Sequence, residues 1–118
     1  MQLGEDKSPK ATKSPSHADL QWAAGFLEGE GCFASSLVRG KYKTYTCQAA
    51  QKGIWPLLRL QEMLGGSIKL RRASTGFKSS SVVHLWCTTG SRARGITMTL
   101  FPLLSPRRRE QIKRALLY

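Results

Sequence analysis

The amino-acid sequence predicts a single α+β domain in which helical segments alternate with two β-hairpins. The chain has 118 residues, and glycine or proline separates segments of helical periodicity from segments of strand periodicity. A chain of this length holds one hydrophobic core, so we expect no second, cofactor-binding domain. Hydrophobic residues make up 41% of the chain and charged residues 22%, which is typical of a globular protein rather than a disordered one.

The predicted elements are a helix, two strands, a helix, two strands and two helices, over residues 16–28, 32–39, 41–51, 56–64, 67–72, 81–88, 91–104 and 107–118. Ser16 with Asp19 three residues later resembles a capping box at the start of the first helix. Pro56 suits the first turn of the second helix, because its missing N–H would have no helical partner there. Residues 1–16 are rich in serine, proline and lysine, and we expect a flexible tail there, with the domain spanning 17–118.

The charge pattern indicates a polyanionic partner. The chain has 19 Lys and Arg against 7 Asp and Glu, a formal charge of +12, and the only acids after residue 30 are Glu62 and Glu110. Such an excess is self-repelling unless a polyanion relieves it, which indicates nucleic acid or an anionic membrane surface as the partner. No apolar run is long enough to span a membrane. Within this acid-poor chain, Glu28 and Glu30 lie together at the end of a predicted helix, where the helix dipole disfavours acids without a compensating cation.

The cysteines and the N-terminal residues bear on location. Cys32, Cys47 and Cys87 have no zinc-site spacing and are predicted to be free, apolar residues of strands. Free cysteines favour a reducing intracellular compartment, such as a bacterial or phage-host cytoplasm or an organelle matrix. Residues 1–16 lack the apolar stretch of a secretory signal, and the first arginine is Arg39, so we expect no targeting peptide.

The segment 23–31, with the sequence AAGFLEGEG, resembles the signature of the LAGLIDADG homing endonuclease family. It has small residues, a glycine, two apolar residues and then acid, glycine, acid, glycine, with an aromatic residue, Phe33, shortly after. The order of the predicted elements over residues 17–118 is also similar to that family. The resemblance implies an αββαββα fold with a saddle-shaped antiparallel sheet, and a metal-dependent DNA endonuclease. A single copy of the motif implies a homodimer that cuts a long, roughly palindromic double-stranded DNA site.

The resemblance implies a metal site at the end of the motif helix. Glu30 would bind Mg²⁺, or another divalent cation such as Mn²⁺, and the carbonyl of Gly29 would be a further ligand. Glu30 stands where aspartate is more usual, which lengthens the ligand by one methylene and keeps its charge. Glu28 is assigned a supporting role.

Further catalytic residues are also implied by the resemblance. Gln51 is similar to the polar residue that the family places near the catalytic water. Arg107 or Arg108 would provide the positive charge of the site, and Arg107 is favoured. Some relatives have another base at the start of the second helix, where Trp55 stands here, and Lys52 is an alternative source of that charge.

The motif helix also predicts self-association. Gly25 and Gly29 lie one helical turn apart and leave room for a second backbone to approach. Trp22 and Phe26, on the same face, would add buried area around that contact. The predicted dimer interface is therefore Trp22, Gly25, Phe26 and Gly29, and a two-fold axis there would bring both Glu30 side chains to one site.

Strand alternation assigns residues to the two faces of the predicted sheet. Phe33, Leu37, Ile68 and Leu70 are predicted to face the core. For the last strand the pattern leaves open whether His84 and Trp86, or Val83, Leu85 and Cys87, are buried. The outward set is polar or basic, as a β-ribbon in the major groove of DNA requires. The predicted DNA-contacting residues are Ser36, Val38, Arg39, Lys41, Lys43, Thr44, Thr46, Gln48, Lys69, Arg71, Arg72 and Lys78.

Two other functions compete with the endonuclease. One is a non-catalytic nucleic-acid binder on the same scaffold, such as a maturase that binds intron RNA or a transcription regulator. The other is a basic structural or ribosome-associated protein without sequence preference. The two acids Glu28 and Glu30 favour the endonuclease.

Overall fold

The first helix begins at the capping box that the sequence predicts. The hydroxyl of Ser16 accepts a hydrogen bond from the Asp19 N–H at 3.1 Å, and the Asp19 carboxylate accepts one from the Ser16 N–H at 2.9 Å. These two bonds satisfy donors that the first helical turn leaves free, and helix α1 extends over His17–Glu30.

The structure is a computed structural model that describes residues 6–38, 40, 42–72 and 82–117.

The remaining elements follow in the predicted order. They are β1 Gly31–Val38, β2 Tyr42–Gln51, α2 Trp55–Leu64, β3 Ser67–Arg72, β4 Val82–Thr89, α3 Gly90–Leu100, a 3-10 turn Phe101–Leu103 and α4 Pro106–Leu117. The sequence predicts one helix over 91–104, but α3 ends at Leu100 and the 3-10 turn follows, because Pro102 lacks the N–H that a continuing helix needs. Over the described residues the protein is α+β, with one four-stranded antiparallel sheet.

The sheet joins two hairpins through their inner strands. Its strand order is β1-β2-β4-β3, so β1 and β3 are the edge strands. In β2, Cys47 pairs with Phe33 of β1 and with Thr88 of β4. Because β2 and β4 are antiparallel, the connections within the two hairpins lie at opposite ends of the sheet. The turn at 39–41 and the loop at 73–80 are described only at residue 40.

The helices cover one face of this sheet and bury its core. Trp86 is fully buried, whereas Val83, Leu85 and Cys87 are only half-buried on the opposite face, which decides the alternative left open by the sequence. The Trp86 Nε1–H donates a hydrogen bond to the Gly65 carbonyl at 2.8 Å. The buried apolar residues of this core are Ala23, Ala24, Leu27, Phe33, Tyr45, Cys47, Ala49, Leu57, Leu60, Met63, Trp86, Ala93, Ile96, Leu100, Leu104 and Ile112.

Two of the four residues predicted to face the core are exposed. Phe33 is buried and Ile68 packs against the core, but Leu37 is 62% exposed and Leu70 is 69% exposed. Both lie on the correct face by alternation, toward strand ends where the helices do not cover the sheet. The prediction of burial was wrong for Leu37 and Leu70 because alternation gives the face of a strand and not the extent of the layer above it.

The described part of the predicted flexible tail, residues 1–16, is docked on the domain. The Asp6 carboxylate accepts a hydrogen bond from Arg92 Nη1 at 3.3 Å. The Gly66 N–H donates to the Pro9 carbonyl at 2.9 Å. The polar composition of this segment made it resemble a tail. Its side chains and backbone groups instead form hydrogen bonds with α3 and with the α2–β3 connection.

We expect Trp86→Phe to lower the free energy of unfolding by about 2–4 kcal/mol, because the smaller ring leaves a cavity and the Gly65 carbonyl loses its donor. Chemical denaturation followed by circular dichroism measures this change. The matched control is Trp55→Phe, since Trp55 is 78% exposed and its replacement should change stability by less than about 0.5 kcal/mol. Equal losses in the two variants would contradict this account of the core.

Candidate catalytic and nucleic-acid-binding site

The end of α1 passes directly into β1 at Gly31. The last helical hydrogen bond runs from the Gly31 N–H to the Leu27 carbonyl, so the carbonyls of Gly29 and Glu30 lie beyond it and have no helical partner. A Cβ on Gly31 would lie 2.6 Å from the Leu27 carbonyl oxygen, closer than side chains tolerate. The last glycine of the motif therefore permits this tight passage from helix to strand.

Glu28 is held by the segment that precedes α4. Its Oε1 accepts a hydrogen bond from the Ser105 N–H at 2.8 Å, and its Oε2 accepts one from the Ser105 hydroxyl at 2.7 Å. These bonds, together with the nearby charges of Arg108 and Arg107, hold the pKa of Glu28 below its ordinary value. The two acids of the motif were expected to need a cation at the helix end, and for Glu28 that charge comes from Arg107 and Arg108, with Ser105 as a further hydrogen-bond donor.

The two arginines considered for catalysis differ in their surroundings. Arg108 is buried, and its Nε donates to the Glu28 carbonyl at 2.9 Å while its Nη1 donates to Gln111 Oε1 at 2.7 Å. The side chain of Arg107 is 73% exposed, with Nη2 3.8 Å from Glu28 Oε2. Arg108 thus supports the fold, and Arg107 is the arginine free to reach a ligand at the end of α1.

Glu30 differs from every other acid that the structure describes. Asp6, Asp19, Glu28, Glu62 and Glu110 each have a Lys or Arg nitrogen within 4 Å. Glu30 is exposed and, among the described residues, has no such partner. In a chain with a formal charge of +12, an exposed acid with no base beside it in the described ranges is unusual.

The donor atoms at the end of α1 fit a hard divalent cation in part. The carboxylate of Glu30 and the carbonyl of Gly29, which has no helical partner, are oxygen donors of the type that Mg²⁺ prefers, and Mg²⁺ commonly keeps several water ligands. Within the part of the chain that the structure describes, no group of three or more His, Cys, Asp or Glu residues could hold a metal. A complete coordination sphere would therefore need oxygen atoms from water, from a phosphate or from a second protomer.

The sheet register brings Gln51 toward the same end of the molecule. Gly31 pairs with Ala49 in β2, so Gln51 lies two positions further toward the end at which α1 finishes. Gln51 pairs with His84, whose Nδ1–H donates to the Lys52 carbonyl at 2.9 Å. Lys52 is exposed beside this pair, and Trp55, exposed as well, begins α2 immediately beyond it.

The face of the sheet opposite the helices is open and carries half of the predicted DNA contacts. Alternation and register place Ser36, Thr44, Thr46, Gln48, Lys69 and Arg71 on this open face. Its centre is less polar than predicted, because the half-buried Val83, Leu85 and Cys87 share it. Apolar groups there could contact thymine methyl groups while the polar and basic ones contact base edges and phosphates.

Two of the other predicted DNA contacts lie on the opposite side of the sheet. Lys43 and Arg72 are exposed, but alternation places them on the helix side of the sheet, near the strand ends. Val38 pairs with Tyr42 at the end of β1. Arg39, Lys41 and Lys78 lie outside the described residues.

The predicted dimer interface divides into two pairs. Gly25 and Gly29 are exposed, and a Cβ on either would meet no described atom within 4 Å. Trp22 and Phe26 instead stack on each other with ring centroids 5.4 Å apart and pack against the protein's own core. The guanidinium of Arg59 lies 4.1 Å from the Trp22 ring centroid, a cation–π contact that covers this ring.

Two further predictions concern the cysteines and membrane-spanning segments. Cys32, Cys47 and Cys87 are free thiols, and burial raises the pKa of Cys47 and Cys87, which disfavours their thiolate forms. No helix in the described ranges is long and apolar enough to cross a membrane.

Sequence reasoning missed the partners of Glu28. Ser105 and Arg108 lie far from the motif along the chain, and the one local signal was that Ser105-Pro106 is typical of a helix start.

No protein-family model matches this chain, and neither does any curated protein. Fold and site together define a basic α+β protein with an exposed carboxylate at the end of its first helix.

The contacts of Glu28 predict a pH-dependent contribution to stability. Because its pKa in the folded protein lies below the ordinary value of 4.5, the stabilisation is present above that pH and is lost as the pH falls through the folded pKa. We expect the wild type to be more stable than Glu28→Gln at pH 7, and this difference to shrink as the pH is lowered to 3. Urea denaturation across this range measures it.

The control for that series is Glu62→Gln, because Glu62 is exposed and its carboxylate pairs only with the exposed Lys13, at 3.7 Å, among the described residues. It should change stability by less than about 0.5 kcal/mol. A Glu28→Gln difference that stays constant from pH 7 to 3 would contradict the assignment.

Proposed function

We propose that this protein is a LAGLIDADG-type homing endonuclease that makes a metal-dependent double-strand cut in a long, roughly palindromic DNA site as a homodimer. The single observation that supports this most is the exposed Glu30 carboxylate at the end of α1, the one described acid with no Lys or Arg nitrogen within 4 Å among the described residues. The αββαββα order and the strand order β1-β2-β4-β3 support the finer fold assignment, including a saddle-shaped sheet. A mobile intron or intein is the host element that such an enzyme propagates.

The residues at the end of α1 provide the parts of a phosphodiester hydrolase. Glu30 and the Gly29 carbonyl would hold Mg²⁺ or Mn²⁺, and the cation would supply positive charge against the scissile phosphate. Gln51 would orient a water molecule through its amide. Arg107 would act electrostatically, since arginine stays protonated at neutral pH and cannot carry a proton.

The open sheet face provides the surface for the DNA duplex. Basic residues on and beside it would neutralise phosphates, and the threonines, Gln48 and the apolar centre would contact base edges. A two-fold axis through α1 would relate two such surfaces, and the site would then be palindromic with it. The free thiols fit a reducing intracellular compartment.

The alternative is a non-catalytic nucleic-acid binder on the same scaffold, such as an intron maturase or a transcription regulator. One observation favours it: at the start of α2, Trp55 stands where some relatives of the family have a base, and it is 78% exposed. A site with less positive charge would still bind a duplex or a structured RNA through the sheet. The two functions differ in whether the protein cleaves the nucleic acid that it binds, with Glu30 as the metal ligand, or only binds it.

Replacing Glu30 by glutamine tests the proposal. We expect Glu30→Gln to bind the target duplex about as tightly as the wild type and to lose at least about a hundredfold in Mg²⁺-dependent cleavage rate, because the metal-binding charge is gone. The target is first selected by incubating wild-type protein with a randomised duplex library in Mg²⁺ and, in parallel, in EDTA.

The matched control is Glu62→Gln, which removes one exposed charge far along the chain from the motif and should leave cleavage unchanged. Equal cleavage by Glu30→Gln and the wild type would refute the assignment of Glu30. Selective binding of a long site without cleavage in any divalent metal would favour the non-catalytic binder. Enrichment of no long site at all would favour a basic structural protein.

The dimer is tested at the exposed glycine of α1. Gly25→Leu should preserve the fold of each protomer, because a side chain at this position meets no described atom, and should weaken self-association at least about tenfold. Sedimentation velocity over a concentration series measures it. Gly95→Leu in α3 is the matched control, since Gly95 is also an exposed helical glycine with free space. An unchanged dimer in Gly25→Leu would contradict the interface.

A further inference from the structure

We propose that Glu28 is a positioning residue, which fixes Glu30 relative to Arg107 by joining the end of α1 to the start of α4. The inference rests on the proposed function, because it assigns a role in the same site. It goes beyond that function by giving the first acid of the motif a task distinct from metal binding. The contacts that support it involve Ser105 and Arg108.

The link from α1 to α4 is made by the Glu28 side chain. Its two carboxylate oxygens each accept one hydrogen bond from Ser105, from the N–H at 2.8 Å and from the hydroxyl at 2.7 Å. The Ser105 oxygen in turn accepts from the Arg108 N–H at 3.3 Å, so Ser105 caps the first turn of α4. Both carboxylate oxygens are therefore engaged within the protein, which leaves the metal to Glu30.

The link from α4 back to α1 is made by the Arg108 side chain. Its Nε donates to the Glu28 carbonyl at 2.9 Å, and the side chain is buried there. A cation lies at the negative end of α1 and a carboxylate at the positive end of α4, so each helix dipole is compensated by the other helix. The carboxylate also offsets the repulsion between the arginines at the start of α4 and that helix end.

These reciprocal contacts lie close in sequence to the two groups that the proposed reaction needs. Glu30 is two residues beyond Glu28, and Arg107 is two residues beyond Ser105. Arg107 Nη2 is 3.8 Å from Glu28 Oε2, so the carboxylate also attracts the exposed guanidinium toward the end of α1. Loss of the link would let the metal ligand and the catalytic charge move independently.

The experiment compares Glu28→Gln, Ser105→Ala and the control Glu62→Gln in the full-length protein. Cleavage of the selected duplex is measured over a series of Mg²⁺ concentrations, and binding of the same duplex is measured in EDTA. For Glu28→Gln we expect binding within about twofold of wild type, but an increase of about tenfold or more in the Mg²⁺ concentration for half-maximal cleavage, as is typical of residues that orient metal ligands. Ser105→Ala keeps the backbone N–H contact and should show a smaller shift in the same direction.

Two further measurements separate positioning from general stability. Hydrogen exchange at the Ser105 amide should accelerate in Glu28→Gln and stay as in wild type in Glu62→Gln, whether or not the protein cleaves. The double variant Glu28→Gln, Ser105→Ala should need no more Mg²⁺ for half-maximal cleavage than Glu28→Gln alone, because both side chains act through one contact.

The outcomes distinguish this inference from the proposed function. An active wild type together with a Glu28→Gln variant of unchanged Mg²⁺ dependence overturns the positioning role and leaves the endonuclease intact. If Glu28→Gln does not fold, Ser105→Ala decides, and a wild-type Mg²⁺ dependence in that variant overturns the inference. A wild type that cleaves no duplex in any divalent metal overturns the proposed function, and the positioning role with it.

Discussion

The direct passage from α1 into β1 is the constraint on which the rest of the site depends. No residue separates the helix from the strand. Gly31 permits this because it lacks a Cβ, which at this position would collide with the Leu27 carbonyl oxygen. The start of β1 sets the pairing of Gly31 with Ala49, and this pairing brings the end of β2, with Gln51, toward the end of α1. The position of Glu30 relative to the sheet is thus a consequence of backbone geometry.

The few acids of this basic chain mostly form contacts between segments that are distant in sequence. Most described acids tie segments together: Asp6 holds the N-terminal segment to Arg92, and Asp19 lies 3.7 Å from Arg59 of α2. Glu28 links α1 to α4 in the same way. Because these acids have structural partners, the exposed Glu30 stands out among the residues that the structure describes.

Much of the local structure could be predicted from the sequence. The order of the elements and the capping box at Ser16 are confirmed, since short-range hydrogen bonds and apolar periodicity determine both. The faces of the strands also follow from alternation. Burial could not be predicted in the same way: Leu37 and Leu70 are exposed because the helices end short of them, and residues predicted as a tail dock on partners distant in sequence.

By itself, the sequence determined the α+β class, the net charge of +12 and the motif that places two acids at a helix end. These properties depend on composition and on neighbours within a few positions. Only the tertiary structure decided that Glu28 and Glu30 differ, because the partners of Glu28 lie on α4 and no local pattern brings them together. It likewise separated Arg108 from Arg107, since burial depends on which elements pack around a side chain.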